Sequence, residues 1–299
     1  MTIRIGTSER DGTFHSQGRA LKTILDRQPQ LDPVEVLESH SASVDNAQRL
    51  HAGEIELGFM ASNWIGRAKR GEAPFAVPVD LRMAAPMNAG PLFFIVRAGA
   101  PMRTVSDLRG KRVAVGLRTS GMVQHVHAIF GALGLSFVDF TPAYLDFAAG
   151  ADALAAGDVD AQFQCPIPNQ VMTDLAARVD LAVLPYAAGQ IETVMQAVPH
   201  YRATVMRKHA IRGLEQDTAQ LAVVNVLATH ARVPEALVHD VVAAVIAAAD
   251  ELAGLNPLFV GLADLLEPLR VHGPKALAFG GVALHPGALR AYREAGLVE

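Results

Sequence analysis

LHAGEIELGF (residues 50–59) and LAAGDVDAQF (residues 154–163) align without a gap. Leu50 falls on Leu154, Gly53 on Gly157, Glu54 on Asp158, Ile55 on Val159 and Phe59 on Phe163. Each stretch reads as a helix end, a glycine suited to a left-handed cap, an acidic residue and then a strand. The two lie about 100 residues apart, beyond the roughly 20–50-residue period of a solenoid. The echo therefore predicts two similar α/β units, the second opened by the turn and strand of DLRGKRVAVG (107–116).

Outward from the echo, short apolar strands alternate with helical stretches, the pattern of an α/β fold. Strands are expected at 2–5, 33–37, 55–60, 92–97, 112–116, 159–164, 181–184 and 221–228. Five of them run into a small polar loop that opens a helix: GTSERDGTFHSQGRAL (6–21), ESHSASVDN (38–46), ASNW (61–64), GLRTSGMVQH (116–125) and CPIPNQ (165–170). Ligands of open α/β sheets bind at the carboxyl ends of strands, so these loops predict one shared site. The first is no known phosphate loop: Gly12 is followed by Thr13-Phe14 where a Walker loop needs Lys-Ser/Thr, and Gly6 and Gly12 are too far apart for a dinucleotide fingerprint. It keeps the parts of an anion site, namely flexible backbone and a helix N-terminus. Residues 234–252 read as one long packing helix opened by Pro234, and a last helix from about Gly287 has a solvated face.

Composition bounds the function. The chain is 51% hydrophobic and 19% charged, hence globular and long enough for two domains. A net charge of −4 with 6% aromatics gives no basic field for nucleic acid. The lone Cys165 excludes an internal disulfide and a Cys-rich zinc site. No apolar run reaches the roughly 18 residues of a membrane span. The chain as written opens on strand residues Ile3-Arg4-Ile5, so the expectation is either a cytoplasmic chain or one whose export signal has been removed.

The chemical constellations point to binding. His125 and His127 would face about 200° apart on a helix, and with no His-Glu-x-x-His pattern they read as solvated or capping residues, not metal ligands. Arg118 stands two before Ser120, so Gly-x-Ser-x-Gly is not met. Cys165 reads as an inert buried thiol, and Asp158 and Asp160 as groups that cap or solvate a turn. No residue set demands a reaction, a metal or a cofactor. The best anion candidate is Arg118 to Gly121: Thr119 or Ser120 caps the following helix, Gly121 admits close approach, and Arg118 adds fixed charge. Ser41 and Ser43 stand at a second helix start and Thr13 at a third. Together these loops suit a small anionic or zwitterionic solute.

Several segments, in order, resemble the TAXI-type solute receptors of tripartite (TRAP) transporters over nearly the whole chain: IGTSERDGTFHSQGRAL, SASVDNAQRLHAGEIELGFMASN, DLRGKRVAVGLRTSG, ALAAGDVDAQF and LHPGALRAYREAGL. The resemblance implies a two-lobed type II periplasmic-binding fold with a ligand cleft between the lobes. One lobe would take residues 1–88 and 221–299 and the other 89–220. It implies a small carboxylate or amino acid as ligand, membrane permease subunits as partners, and a periplasmic location. Thr7, Ser8, Thr13, Phe14, Ser43, Ser62, Asn63, Asn88, Arg118, Thr119, Ser120, Gly121, Gln164 and Asn169 would line the cleft. Ser8-Glu9 replaces the family's glycine pair, and TVMRKHAIRG (204–213) replaces its second-lobe Gly-Thr-Tyr stretch, so ligand identity does not carry over. The alternative is a cytoplasmic enzyme or sensor on the same fold, such as an aromatic-acid decarboxylase, suggested by His15, His125 and His127 beside the polar loops.

Overall fold

In the computed structural model, which describes residues 2–10, 12–118, 120–164, 167 and 169–299, the chain divides into two compact units. One comprises residues 1–89 and 224–299, the other 90–223.

The first unit opens with β1 (Ile3–Gly6), α1 (Thr13–Leu25), β2 (Val34–Leu37), α2 (Ser43–Ala52), β3 (Leu57–Ala61) and α3 (Ser62–Arg70). β1 pairs in parallel with β2 on one side and β3 on the other, with Ile5 opposite Val36 and Leu57. The long strand β4 (Leu81–Arg97) then runs from this unit into the next. The expectation of a strand only at 92–97 missed its first half, because Pro86, Gly90 and Pro91 read as breakers; in place, the strand is buried along most of its length.

The second unit follows with β5 (Arg112–Ala114), α4 (Gly121–Ala132), β6 (Thr141–Ala143), α5 (Phe147–Ala156), β7 (Ala161–Gln164), α6 (Gln170–Arg178), β8 (Leu181–Val183), α7 (Gln190–Ala197) and β9 (Tyr201–Met206). β5 lies parallel to β6 and β7, while β7 and β8 run antiparallel to β4. β6 and β9 are strands the sequence did not announce. β6 is a three-residue outer strand carrying Pro142, and β9 has its inward-facing residues only at Tyr201 and Met206.

β10 (Thr218–His230) returns the chain, pairing with β9 and then, from Asn225 opposite Ala61 to Thr229 opposite Leu57, with β3. Helices α8 (Glu235–Ala247), α9 (Ala249–Leu255), α10 (Leu262–Leu266), α11 (Pro268–His272) and α12 (Pro286–Glu294) complete the first unit. The expected single helix at 234–252 is two. Pro234 is the cap, not the first turn, and at Ala248 (φ −104°, ψ 18°) the backbone leaves helical values. The break lets both α8 and α9 pack on α1, a tertiary preference that an alanine-rich sequence does not mark. α12 lies on α8 so closely that a Cβ on Gly287 would sit 2.2 Å from the Glu235 carbonyl.

The echo is structural. Gly53 (φ 76°) and Gly157 (φ 87°) cap α2 and α5 in the left-handed region, where glycine alone is free of Cβ strain. After each, the strand is clasped in the same way. Arg4 on β1 donates to the Gly53 carbonyl (3.1 Å) and, through Nε and Nη2, to Glu56 (3.2 and 2.6 Å). Arg112 on β5 donates to the Gly157 carbonyl (2.8 Å) and to Asp160 (3.3 and 2.9 Å). Asp160 is thus an ion-pair partner and not merely a capping or solvated residue.

One pair of positions is exchanged between the units. In the first, Asn46 on α2 fills the gap above Gly58 of β3, whose Cβ would lie 3.1 Å from the Asn46 Cβ. At the corresponding positions of the second, the helix carries Gly150 and the strand Gln162, whose Nε2 donates to the Phe147 carbonyl at 2.9 Å. A Cβ on Gly150 would meet that Nε2 at 2.6 Å. The same space holds an amide reached from opposite sides.

Candidate functional site

In the first unit, three adjacent parallel strands each deliver the chain into a helix that starts without a side-chain cap. The N-cap residues are Gly12 for α1, Ala42 for α2 and Ala61 for α3. Thr13 and Ser43 stand at helix starts as expected, each as the first helical residue, and Ser41 lies just before the α2 cap. Glycine and alanine carry no side-chain oxygen to cap the first-turn N–H groups; in α1 the His15 N–H is met by Ser8 Oγ and in α2 the Val44 N–H by the Ser41 carbonyl. α1 and α3 also lack an acid in the first turn, whereas α2 carries Asp45, which accepts from the Ser41 N–H at 2.8 Å. The positive end of the helix dipole is therefore least compensated at α1 and α3.

Polar side chains stiffen this edge. Thr7, fully buried, donates to the Leu37 carbonyl at 2.8 Å and lies 3.3 Å from His15 Nδ1. Ser8 Oγ accepts from the His15 N–H at 3.2 Å, and Ser43 Oγ from the Ala61 N–H at 3.0 Å. Ser62 Oγ accepts from the Val224 N–H at 3.3 Å. Asn46 Nδ2 donates to the Thr7 and Phe59 carbonyls at 2.7 and 2.9 Å, tying the ends of β1 and β3 to α2. Asn88 Oδ1 accepts from Gln17 Nε2 and Asn225 Nδ2, both at 3.1 Å. With its Nε2 committed, Gln17 keeps a buried Oε1 without a partner, and so does Asn63 its Oδ1. Such orphaned acceptors in a folded interior ask for an explanation, and a bound donor is one. Phe14 packs at a tilt against Phe59 with centroids 5.5 Å apart, as part of the core. Glu9 is exposed and sits 3.5 Å from His40.

In the second unit α4, α5 and α6 begin on capping side chains, whereas α7 begins on Gly189 without one. Ser120 caps α4, accepting from the Val123 N–H at 3.4 Å, and Asn169 caps α6, accepting from Met172 at 2.8 Å. Gly121 opens α4 with open space around its Cβ position. Arg118 is exposed, its guanidinium carbon 3.7 Å from the Tyr144 ring centroid. Gln164 ends β7 fully buried, with both amide atoms unpartnered. Thr119 and Cys165 lie outside the described residues.

Behind these loops is a buried polar group. The expectation of a solvated or capping His125 is corrected: it is buried, its Nδ1 2.6 Å from the Tyr201 hydroxyl, because position 125 falls on the inner face of α4 over Phe163. Burial, aided by His200, pushes His125 down to about 4. Burial and Arg202 bring His200 to about 4 as well, so both imidazoles are neutral at pH 7. His127 instead stacks on Phe137 with centroids 3.6 Å apart. Burial pushes Tyr186 up, and its hydroxyl has no partner. Sequence reading missed Gln17, Asn46, Asn225, Tyr144, Tyr186, His200 and Tyr201. Gln17 had a legible signal: it shares the helical stripe of Phe14, Gly18 and Leu21, and a polar residue on an apolar stripe is anomalous. Tyr144 and Tyr201 had none, since their placement depends on β6 and β9.

Among the described residues, no group of three His, Cys, Asp or Glu is placed to hold a metal ion. None of the helices so described is long and apolar enough to cross a membrane.

The topology, with polar loops at the carboxyl ends of parallel strands and two long strands shared between units, defines a mixed α/β fold of the type II periplasmic-binding kind. The chain belongs to the NMT1-like family, whose profile matches residues 5–296. Among solved structures it is similar to GshT of Streptococcus mutans, described with glutathione import through the cystine ABC importer TcyBC (10% identity, 87% of this chain and 95% of that one, TM-score 0.50). It is also similar to the periplasmic aliphatic sulphonate binding protein SsuA of Escherichia coli (19% identity, 98% and 82%, TM-score 0.45). A third similarity is to the BenM effector binding domain with benzoate (14% identity, 86% and 94%, TM-score 0.48). These likenesses concern the fold.

Proposed function

We propose that the protein is a periplasmic solute-binding receptor that takes up a small carboxylate or amino-acid-like solute and delivers it to a membrane permease, without turning it over. The observation that carries this reading is the row of helices α1, α2 and α3, each beginning on a residue with no capping oxygen. A partly buried helix N-terminus contributes up to about 2 kcal/mol to an anion, and hydrogen bonds to a charged group about 1.5–3 kcal/mol each. A few such contacts reach the roughly 8 kcal/mol of a micromolar complex. Thr7, Ser8, Thr13, Ser43, Ser62, Asn63 and Asn88 are the candidate contacts in the first unit. Arg118, Thr119, Ser120, Gly121, Gln164 and Asn169 are those in the second. Phe14 supports them from the core.

The ordered TAXI-like segments favour a TRAP permease as the partner. Membership of the NMT1-like family supports a receptor of this general kind, and the solute class rests on the chemistry of the two polar edges. His125 is neutral and buried and His200 neutral and half-buried, which weighs against the enzyme alternative.

The test is Ala61→Asp. An N-cap aspartate satisfies the start of α3 and stabilises the helix by about 1 kcal/mol, while its charge repels an anionic solute. The expected result is a raised melting temperature together with at least ten-fold weaker binding of any carboxylate that binds the parent protein. Unchanged affinity overturns the assignment.

A further inference from the structure

Arg118 is held in an unusual way. Most arginines of this protein have a carboxylate or a carbonyl as partner, as Arg4, Arg112 and Arg178 do. Among the described residues no carboxylate pairs with Arg118, and its one contact is the face of Tyr144, 3.7 Å from guanidinium carbon to ring centroid. At that separation the guanidinium lies flat on the ring, because aiming an N–H at the ring would push the carbon further out. Flat stacking leaves the in-plane N–H fork unused, and that fork is what recognises a carboxylate bidentately.

The fold builds this contact. β5 and β6 are parallel neighbours with Ala114 opposite Ala143, and the Val115 N–H donates to the Ala143 carbonyl at 3.0 Å. The loops that leave them therefore start side by side, one carrying Arg118 and the other Tyr144. Gly116 (φ 91°) turns the first loop where a Cβ would meet Met122 at 2.6 Å. Three residues past Arg118, the twelve-residue helix α4 begins, with Ser120 as its cap.

We propose that Tyr144 is a positioning residue for anion recognition: its ring fixes the Arg118 guanidinium at the start of α4 with the N–H fork free for the carboxylate of the solute. The inference rests on the receptor reading above and adds to it a residue that does not itself contact the anion. It explains why an exposed arginine, whose side-chain entropy would otherwise oppose a single geometry, can serve a binding site.

The test is a double-mutant cycle read by isothermal titration calorimetry, using whichever of L-glutamate, succinate and benzoate binds the parent protein most tightly. Arg118→Gln is expected to weaken binding at least ten-fold. Tyr144→Phe, which keeps the ring, should stay within two-fold, and Tyr144→Leu should weaken binding roughly three- to five-fold, the scale of an exposed cation–π contact. In the Arg118→Gln background, Tyr144→Leu should have no further effect, which a general structural role would not produce. Circular dichroism confirms that each variant is folded. If Tyr144→Leu is neutral while Arg118→Gln is not, or if its effect persists without Arg118, the positioning role is wrong and the receptor reading stands. If none of the three compounds binds the parent, both the carboxylate reading and the inference built on it fall.

Discussion

The exchanged amide between the two units makes a prediction that separates common construction from coincidence. Replacing Asn46 by glycine removes two buried hydrogen bonds, to the Thr7 and Phe59 carbonyls, worth about 1 kcal/mol each, and adds about 1 kcal/mol for glycine within a helix. The expected loss is about 3 kcal/mol. Replacing Gly58 by glutamine forces a side chain into space already held by Asn46, 3.1 Å from the new Cβ, an overpacking that costs about 2 kcal/mol. If the units share one plan, the double variant recreates the arrangement of Gly150 and Gln162. The introduced glutamine side chain then reaches the Ser43 carbonyl, the counterpart of the Phe147 carbonyl, and the overpacking vanishes. The double variant should lose only about 3 kcal/mol rather than the sum of about 5, a coupling of about 2 kcal/mol. Trp64, the only tryptophan, lies on α3 in the first unit, so urea unfolding followed by its fluorescence reports on the unit that is changed. Losses that add to within about 0.5 kcal/mol would refute the reasoning.

Three further outcomes follow from the same geometry. Asn88→Leu leaves the Gln17 and Asn225 amide donors without their shared acceptor, at about 1–3 kcal/mol each; melting should fall by at least roughly 4 °C, and a smaller shift by calorimetry would show the triad to be slack. His125 and His200, held near 4 in the fold against an ordinary 6.5, take up protons only on unfolding between those values. Stability should therefore fall as pH drops from about 6.5 towards 4, and His125→Gln should flatten that limb of the melting-temperature profile. His239 has the opposite sign: its hydrogen bonds to Asp240 and Glu294, both 2.7 Å, raise its pKa. Its contribution is complete below 6.5 and lost as pH rises through the raised value, so His239→Gln should remove a decline on the alkaline side and leave the acid limb unchanged.

The paired helix ends at Gly53 and Gly157 were legible because left-handed caps draw on one residue type. The five polar loops were legible because strand-to-helix turns concentrate hydroxyls and glycines. The loops could not show by themselves which helices are left uncapped. Thr13 and Ser43 were read at helix starts, but that Gly12 and Ala42 take the cap positions before them depends on where each strand ends. The first half of β4 was hidden by Pro86, Gly90 and Pro91, whose local preference is overruled by burial. Tyr144 and Tyr201 were out of reach, since each takes part only through a strand, β6 or β9, whose own sequence is too short or too polar outside to read. Asn88 was picked out, but its role as the acceptor for Gln17 and Asn225 depends on contacts 71 and 137 residues away.

The most direct test of the central claim is a thermal-shift screen of the intact chain against amino acids, keto acids and mono-, di- and aromatic carboxylates, with each stabilising compound recovered and examined by NMR. A solute at about 1,000 times its dissociation constant adds roughly 4 kcal/mol, a rise on the order of 8 °C for a chain of this size. A receptor gives such a rise with the compound recovered unchanged. A rise with the compound consumed, or no rise with any anion, contradicts the account.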